Sequence, residues 1–144
     1  MNVLYVDFRA IAHATEDDEL VHQALVFAAG GGLVDKNRTK GHFGNPMTIM
    51  SIKITNNKQI RDFIHRLKDA GIIRTLIEEV EQRVDDECVF HFRLDKQKAF
   101  EEVLVLATGK DVIDCGMKIA AYPAKREDAV KVMIHYFGGI TNED

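Results

Sequence analysis

The chain has no tryptophan, two prolines and two cysteines. Cys88 and Cys115 lie in apolar, alternating stretches, so two buried thiols are expected and a disulfide scaffold is not, which fits a reducing, cytoplasmic setting. No apolar run approaches the ~20 residues that a membrane-spanning helix needs, so no membrane partner is expected. The opening MNVLYVDFRA lacks a basic segment and a small-residue cleavage site, and does not read as a secretory signal. No linker, repeat or low-complexity stretch interrupts the sequence, and residues 1–144 read as one domain.

Catalytic signatures are equally scarce. GxxxxGK[ST], GxGxxG after a strand, HExxH and GxSxG are all missing. None of the six histidines pairs at ligand spacing with another histidine or a cysteine. The acid pairs Glu78-Glu79 and Glu101-Glu102 are adjacent in sequence, and adjacent side chains on an element do not face each other. Acids near Cys88 disfavour a thiolate there. The expectation is a protein that is not an enzyme, with no catalytic group, no metal and no cofactor.

What is present is an ordinary globular composition, 46% hydrophobic and 29% charged over 144 residues, with charge distributed unevenly. Residues 36–74 carry nine basic side chains against two acids, a net of +7, in a chain whose total is −4; the remainder is therefore −11. A basic stretch on an acidic body implies a polyanionic partner met at one place.

Periodicity predicts the order β-α-β-β-α-α-β-β-β-α. Residues 3–14 alternate, with Leu4, Val6, Phe8, Ala10 and Ala12 inward and Tyr5, Asp7, Arg9 and His13 outward. Thr15 offers a helix cap, with Glu16 to Glu19 in the first turn and a buried stripe of Leu20, Ala24, Leu25 and Ala28 before Gly30. Residues 35–46, DKNRTKGHFGNP, read as a loop or a loose hairpin. A strand at 47–54 points Met50, Ile52 and Ile54 inward and Ser51 and Lys53 outward. Asn56 or Asn57 caps a helix striped by Ile60, Phe63, Ile64 and Leu67. A further helix carries Ile73, Leu76, Ile77, Val80 and Val84. Strands follow at 88–94, 103–107 and 112–122, the first two separated by a short helical turn. Pro123 opens a final helix that buries Val130, Met133, Ile134 and Phe137 and closes at Gly138-Gly139. The fold class is α+β, a two-layer sandwich whose mostly antiparallel sheet is covered on one face by helices. Phe8, Leu25, Phe63, Phe90, Phe92 and Phe137 are the expected core.

Two regions remain for function. The outward strand positions supply Arg9, His13, Lys53, His91, Arg93 and Lys118, with Tyr5 on the side of Arg9; such a face holds phosphates and stacks a base. The loop alternates Lys36, Arg38, Lys40 and His42 around Gly41 and Gly44, and glycines let backbone N–H groups approach a phosphate closely. The alternative is a protein-interaction or self-assembling surface, with Val3, Ile11, Met47, Ile49 and Val89 as an apolar patch on the open face.

The blocks HATED at 13–17, GHFGNP at 41–46, FRLDKQKA at 92–99 and the AAYP-plus-helix ending at 120–137 resemble an archaeal family of RNA-binding domain proteins, also described as predicted exosome subunits. The resemblance spans the chain in order. It implies a fold similar to the large-subunit ribosomal protein that binds 5S ribosomal RNA, and a non-catalytic role in RNA processing or ribosome assembly. RNA is the implied partner, together with exosome or ribosome-assembly proteins or a second copy of the chain. The expected RNA-binding set comprises the loop residues Lys36, Arg38, Lys40, Gly41, His42, Gly44 and Asn45, with Lys53 and with Arg61 on the 58–70 helix. Arg9, His13, Arg93, Lys96 and Gln97 add contacts at the sheet edge. Glu101-Glu102 departs from the family pattern, which implies a glycine near this point.

Overall fold

The computed structural model describes residues 2–41 and 43–142. Among these, five strands and six helices follow in the order β1 (Val3–His13), α1 (Asp18–Ala29), β2 (Asp35–Lys40), β3 (Pro46–Ile54), α2 (Asn57–Asp69), α3 (Ile73–Glu78), α4 (Val80–Arg83), β4 (Val89–Asp95), α5 (Lys96–Phe100), β5 (Val112–Ile119) and α6 (Arg126–Thr141). The strands form an antiparallel sheet in the order β2-β3-β1-β5-β4, giving the α+β class. The chain folds into two compact units. One gathers Met1–Val6, Thr55–Phe92 and Gly116–Asp144; the other gathers Asp7–Ile54 and Arg93–Cys115.

The core of the first unit is aromatic. Phe63 from α2 stacks on Phe92 of β4, with centroids 6.2 Å apart and planes at 19°. Phe90 meets Phe137 of α6 edge-on at 5.4 Å and 80°. Edge-to-face and offset pairs suit the ring quadrupole, and add to the burial of these side chains. α2 forms as its sequence dictates. The Asn56 side chain accepts from the Gln59 N–H, and Ile60, Phe63, Ile64 and Leu67 make the buried stripe. The single helix expected from Ile73 onward is two short ones, because Glu79 leaves helical geometry at φ −111° and ψ 14°. The final helix also differs. It begins at Arg126, runs through both glycines to Thr141, and leaves Ile134 exposed while Ile140 is buried.

In the second unit α1 packs beside β3 and α5. Phe8 and Leu25 are fully buried there. The cap of α1 is Asp17 rather than Thr15, its side chain accepting from the Glu19 N–H. The buried stripe runs through Val21, Ala24, Leu25, Ala28 and Ala29, so Val21 takes the inward place expected of Leu20, which is exposed. β1 keeps the expected alternation from Val6 onward. At its start, which belongs to the first unit, the pattern reverses: Val3 is buried and Leu4 is 47% exposed. Val3 is thereby removed from the apolar patch expected on the open face.

No strand occupies 103–107. The segment makes a single bridge, Leu94 with Leu106, and two backbone bonds to the end of β4, Asp95 N–H to Val105 O and Ala107 N–H to Arg93 O. α5 closes on Glu102, whose φ of 60° is left-handed. The Val103 N–H donates to the Lys98 carbonyl and the Glu102 N–H to that of Ala99, which is the Schellman arrangement with glutamate in the position glycine prefers. The departure Glu101-Glu102 thus falls where the backbone asks for a glycine.

Candidate nucleic-acid interface

Residues 35–46 form a hairpin with the strand that follows. β2 pairs antiparallel with β3, with Lys36 opposite Met50, Arg38 opposite Thr48 and Lys40 opposite Pro46. All six residues of β2 are exposed. Residues directly opposite each other in an antiparallel pair project to the same face, and positions i, i+2 and i+4 share a face. Lys36, Arg38 and Lys40 therefore lie on the side to which Thr48 and Met50 point, the side of α1. Arg38 reaches Asp18 in the first turn of α1 at 3.6 Å, and the Thr48 hydroxyl donates to the same carboxylate at 3.2 Å.

This corrects the expectation of one patch joining the loop to the open face. Lys53 projects to the other side of β3, where its charge partly offsets the upward push that burial gives the Asp7 carboxyl. Arg9 is exposed on β1. Arg61 is exposed on α2, in the other unit.

The turn, residues 41–45, is held by backbone bonds. Gly41 N–H donates to the Asn45 carbonyl at 2.7 Å and Gly44 N–H to the Gly41 carbonyl at 2.9 Å. Gly44 has φ 78°, which explains a glycine there. Asn45 contributes through its backbone oxygen. His42 lies outside the described residues. Between the glycines Phe43 is 86% exposed, a residue that the charge argument passed over. The signal was available as an aromatic set between two glycines and next to a row of cations.

The other motif blocks are internally bonded. Lys96 is 1% exposed. Its ammonium donates to the Ile11 carbonyl at 2.8 Å and to Glu16 Oε1 at 2.9 Å, and lies 2.8 Å from Asp111 Oδ1. Three donors meet three acceptors, so no N–H remains for a phosphate, contrary to the expectation for this residue. Gln97 donates to Asp111 Oδ2 at 2.6 Å. Burial pushes the Asp111 carboxyl up, but the hydrogen bonds from Lys96 and Gln97 and the nearby charges of Lys96 and His13 outweigh it and hold the group below its usual range. Asp95 caps α5 through the Lys98 N–H, and Arg93 bonds Asp114 at 3.0 Å. In HATED, Glu16 also accepts from the His13 N–H. His13, Thr15, Glu16, Gln97, Lys110 and Asp111 line an open cleft of ≈ 440 Å³.

Elsewhere on the strands, His91 pairs with Asp85 at 2.6 Å and Lys118 donates to the Glu87 carbonyl. Burial pushes the Cys115 thiol well up and the Asp114 charge adds to it, so a thiolate there is disfavoured. Among the described residues no three His, Cys, Asp or Glu side chains converge as a metal site.

The comparisons with known proteins agree with this architecture. RNA-binding protein PAB1135 of Pyrococcus abyssi is 32% identical over 145 residues, covering 93% of each chain. The solved structure of Mth689, a DUF54 protein from Methanothermobacter thermautotrophicus, superposes with a TM-score of 0.83 at 30% identity, covering 99% of this chain and 100% of that one. A UPF0201 protein from Methanococcus jannaschii shares the fold, with a TM-score of 0.65 at 14% identity and coverage of 96% and 99%. The family model described as RNA binding matches residues 5–119, and the chain belongs to that family.

Proposed function

We propose that this chain binds RNA without catalysing a reaction, and that it grips the sugar-phosphate backbone along the β2–β3 hairpin. One observation carries the reading. In a chain of the RNA binding family, Lys36, Arg38 and Lys40 stand at alternate positions on one side of a wholly exposed strand. Cations so arranged recur every ~7 Å, two strand rises, and neutralise successive phosphates without reading bases. Gly41, Gly44 and Asn45 shape the turn beside them. Arg9, Lys53 and Arg93 stand at outward strand positions, apart from this row, and offer a second, weaker contact, with Arg93 and Lys53 weakened by the acids they face; Arg61, on α2 in the other unit, is left out of the hairpin contact. Lys96 is left out because its ammonium is spent inside the fold.

The two compact units act together as one RNA-binding domain in this reading. The likeness to a relative named as an RNA-binding protein supports RNA as the partner. A cytoplasmic role in RNA processing beside the exosome, or in ribosome assembly, is the finer form of the proposal. Filter binding with RNA of mixed sequence tests it. If about four phosphates of a single strand are neutralised, log affinity falls with log salt at a slope near −3. Lys36, Arg38 and Lys40 changed together to Ala weaken binding for all sequences and flatten that slope. Binding absent at tens of micromolar protein in low salt, or a triple variant that binds like the parent, would refute it.

A further inference from the structure

We infer that Phe43 is a stacking platform, so that the hairpin selects RNA with unpaired bases over duplex. This rests on the RNA-binding reading and adds the class of RNA it takes. A singly exposed apolar side chain is ordinary on protein surfaces and by itself carries nothing. Phe43 differs in its seat. β2 ends at Lys40 and β3 begins opposite it at Pro46, leaving a five-residue turn with Phe43 at its apex. Two backbone hydrogen bonds, Gly41 N–H to Asn45 O and Gly44 N–H to Gly41 O, fix that turn. Gly44 takes the left-handed conformation that closes it, with nothing within 4 Å of where a side chain would begin. The ring is thus held 86% exposed on a hydrogen-bonded apex, three residues beyond the last of a row of cations. A backbone tracked along Lys36, Arg38 and Lys40 delivers its next nucleotides to that ring. Every base has a π-face, so the contact is tolerant of sequence; bases inside a duplex are already stacked and cannot use it.

The test compares a 12-nucleotide single strand containing 2-aminopurine with a hairpin RNA of equal charge, titrated against the parent, Phe43→Leu and Phe43→Tyr. Leu keeps the apolar bulk and loses the ring, while Tyr keeps the ring. The parent is expected to prefer the single strand and to quench the 2-aminopurine. Phe43→Leu should lose about tenfold to a hundredfold in single-strand affinity together with the quenching, and bind duplex as before, while Phe43→Tyr matches the parent. Equal loss on both RNAs, a Leu variant that matches the parent, or a parent that binds duplex as tightly as single strand would overturn the stacking role while leaving phosphate binding intact. No binding of either RNA by the parent would overturn the RNA-binding reading itself.

Discussion

Two sequence blocks of similar polarity do opposite things. In RLDKQ, at 93–97, each polar side chain is spent inside the protein: Arg93 on Asp114, Asp95 on the α5 cap, Lys96 on Ile11, Glu16 and Asp111, and Gln97 on Asp111. In the hairpin the cations stand on a strand exposed along its whole length, and Arg38 holds Asp18 only at 3.6 Å with its side chain 81% exposed. A conspicuous polar motif is therefore not in itself a binding motif. What separates the two is whether the fold supplies acceptors.

The largest effect is expected where the RLDKQ block anchors to the core. Phe92→Ala, one residue before RLDKQ, should cost about 3–5 kcal/mol, because the ring that Phe63 and Phe90 pack against leaves a cavity. Urea unfolding measures it; a loss below ~1 kcal/mol would mean that the strand faces are reversed.

Next comes the lysine. Lys96→Met keeps the stem and removes the charge, leaving Glu16 and Asp111 without their cation. The cost of breaking such a pair is about 3 kcal/mol when both members are buried, and the partial exposure of the two acids should bring it to about 2. RNA affinity should be unchanged in Lys96→Met below its unfolding transition. A specific loss of affinity would return Lys96 to the interface.

The same cluster sets a dependence on pH. Asp111 has its folded pKa held low, so it stabilises the fold above the unfolded carboxylate value of about 3.9, and that contribution is lost as pH falls through the lower folded value. Asp85, which burial pushes up but hydrogen bonds from His91, Val89 and Glu87 and the His91 charge pull down further, acts in the same direction. Asp111→Asn should be less stable than the parent at pH 7, with the gap narrowing below about pH 3.5 in urea midpoints taken across that range. A gap that stays constant would show that the carboxylate charge is not what matters.

The smallest effect is expected at the end of α5. Glu102→Gly relieves a left-handed glutamate but adds freedom to the unfolded chain, a net gain of about 0.5–1 kcal/mol read as a rise in Tm. A fall in Tm would mean that the Glu102 side chain contributes more than its backbone costs.

Much of the fold was legible because its signals are local. α2 combines an Asn cap with a strict stripe, and β3 and β4 alternate without exception from Met50 to Ile54 and from Phe90 to Leu94. The misses share a different cause. Lys96 reads as a surface cation because two of its three acceptors, Ile11 and Glu16, lie 85 and 80 residues away. The face of β2 depends on its register with β3, which no composition argument supplies. VLVLA at 103–107 looks like a strand, but Val103 and Val105 point to solvent and only Leu106 bridges. In the candidate site the cations were legible and their facing was not, while Phe43 was hidden by attention to charge.

β2 has one more consequence. Among the described residues it is the outermost strand of the sheet, so one row of its backbone N–H and C=O groups has no described strand beside it. Such a row is a template on which a second chain can add, and lysines along an edge are a common means of keeping that from happening. In the RNA-binding reading proposed above, the lysines that would meet a polyanion are then also the guard of this edge against aggregation. A polyanion that covers Lys36, Arg38 and Lys40 would mask the guard while occupying the edge, so the bound protein stays dispersed for a different reason than the free one.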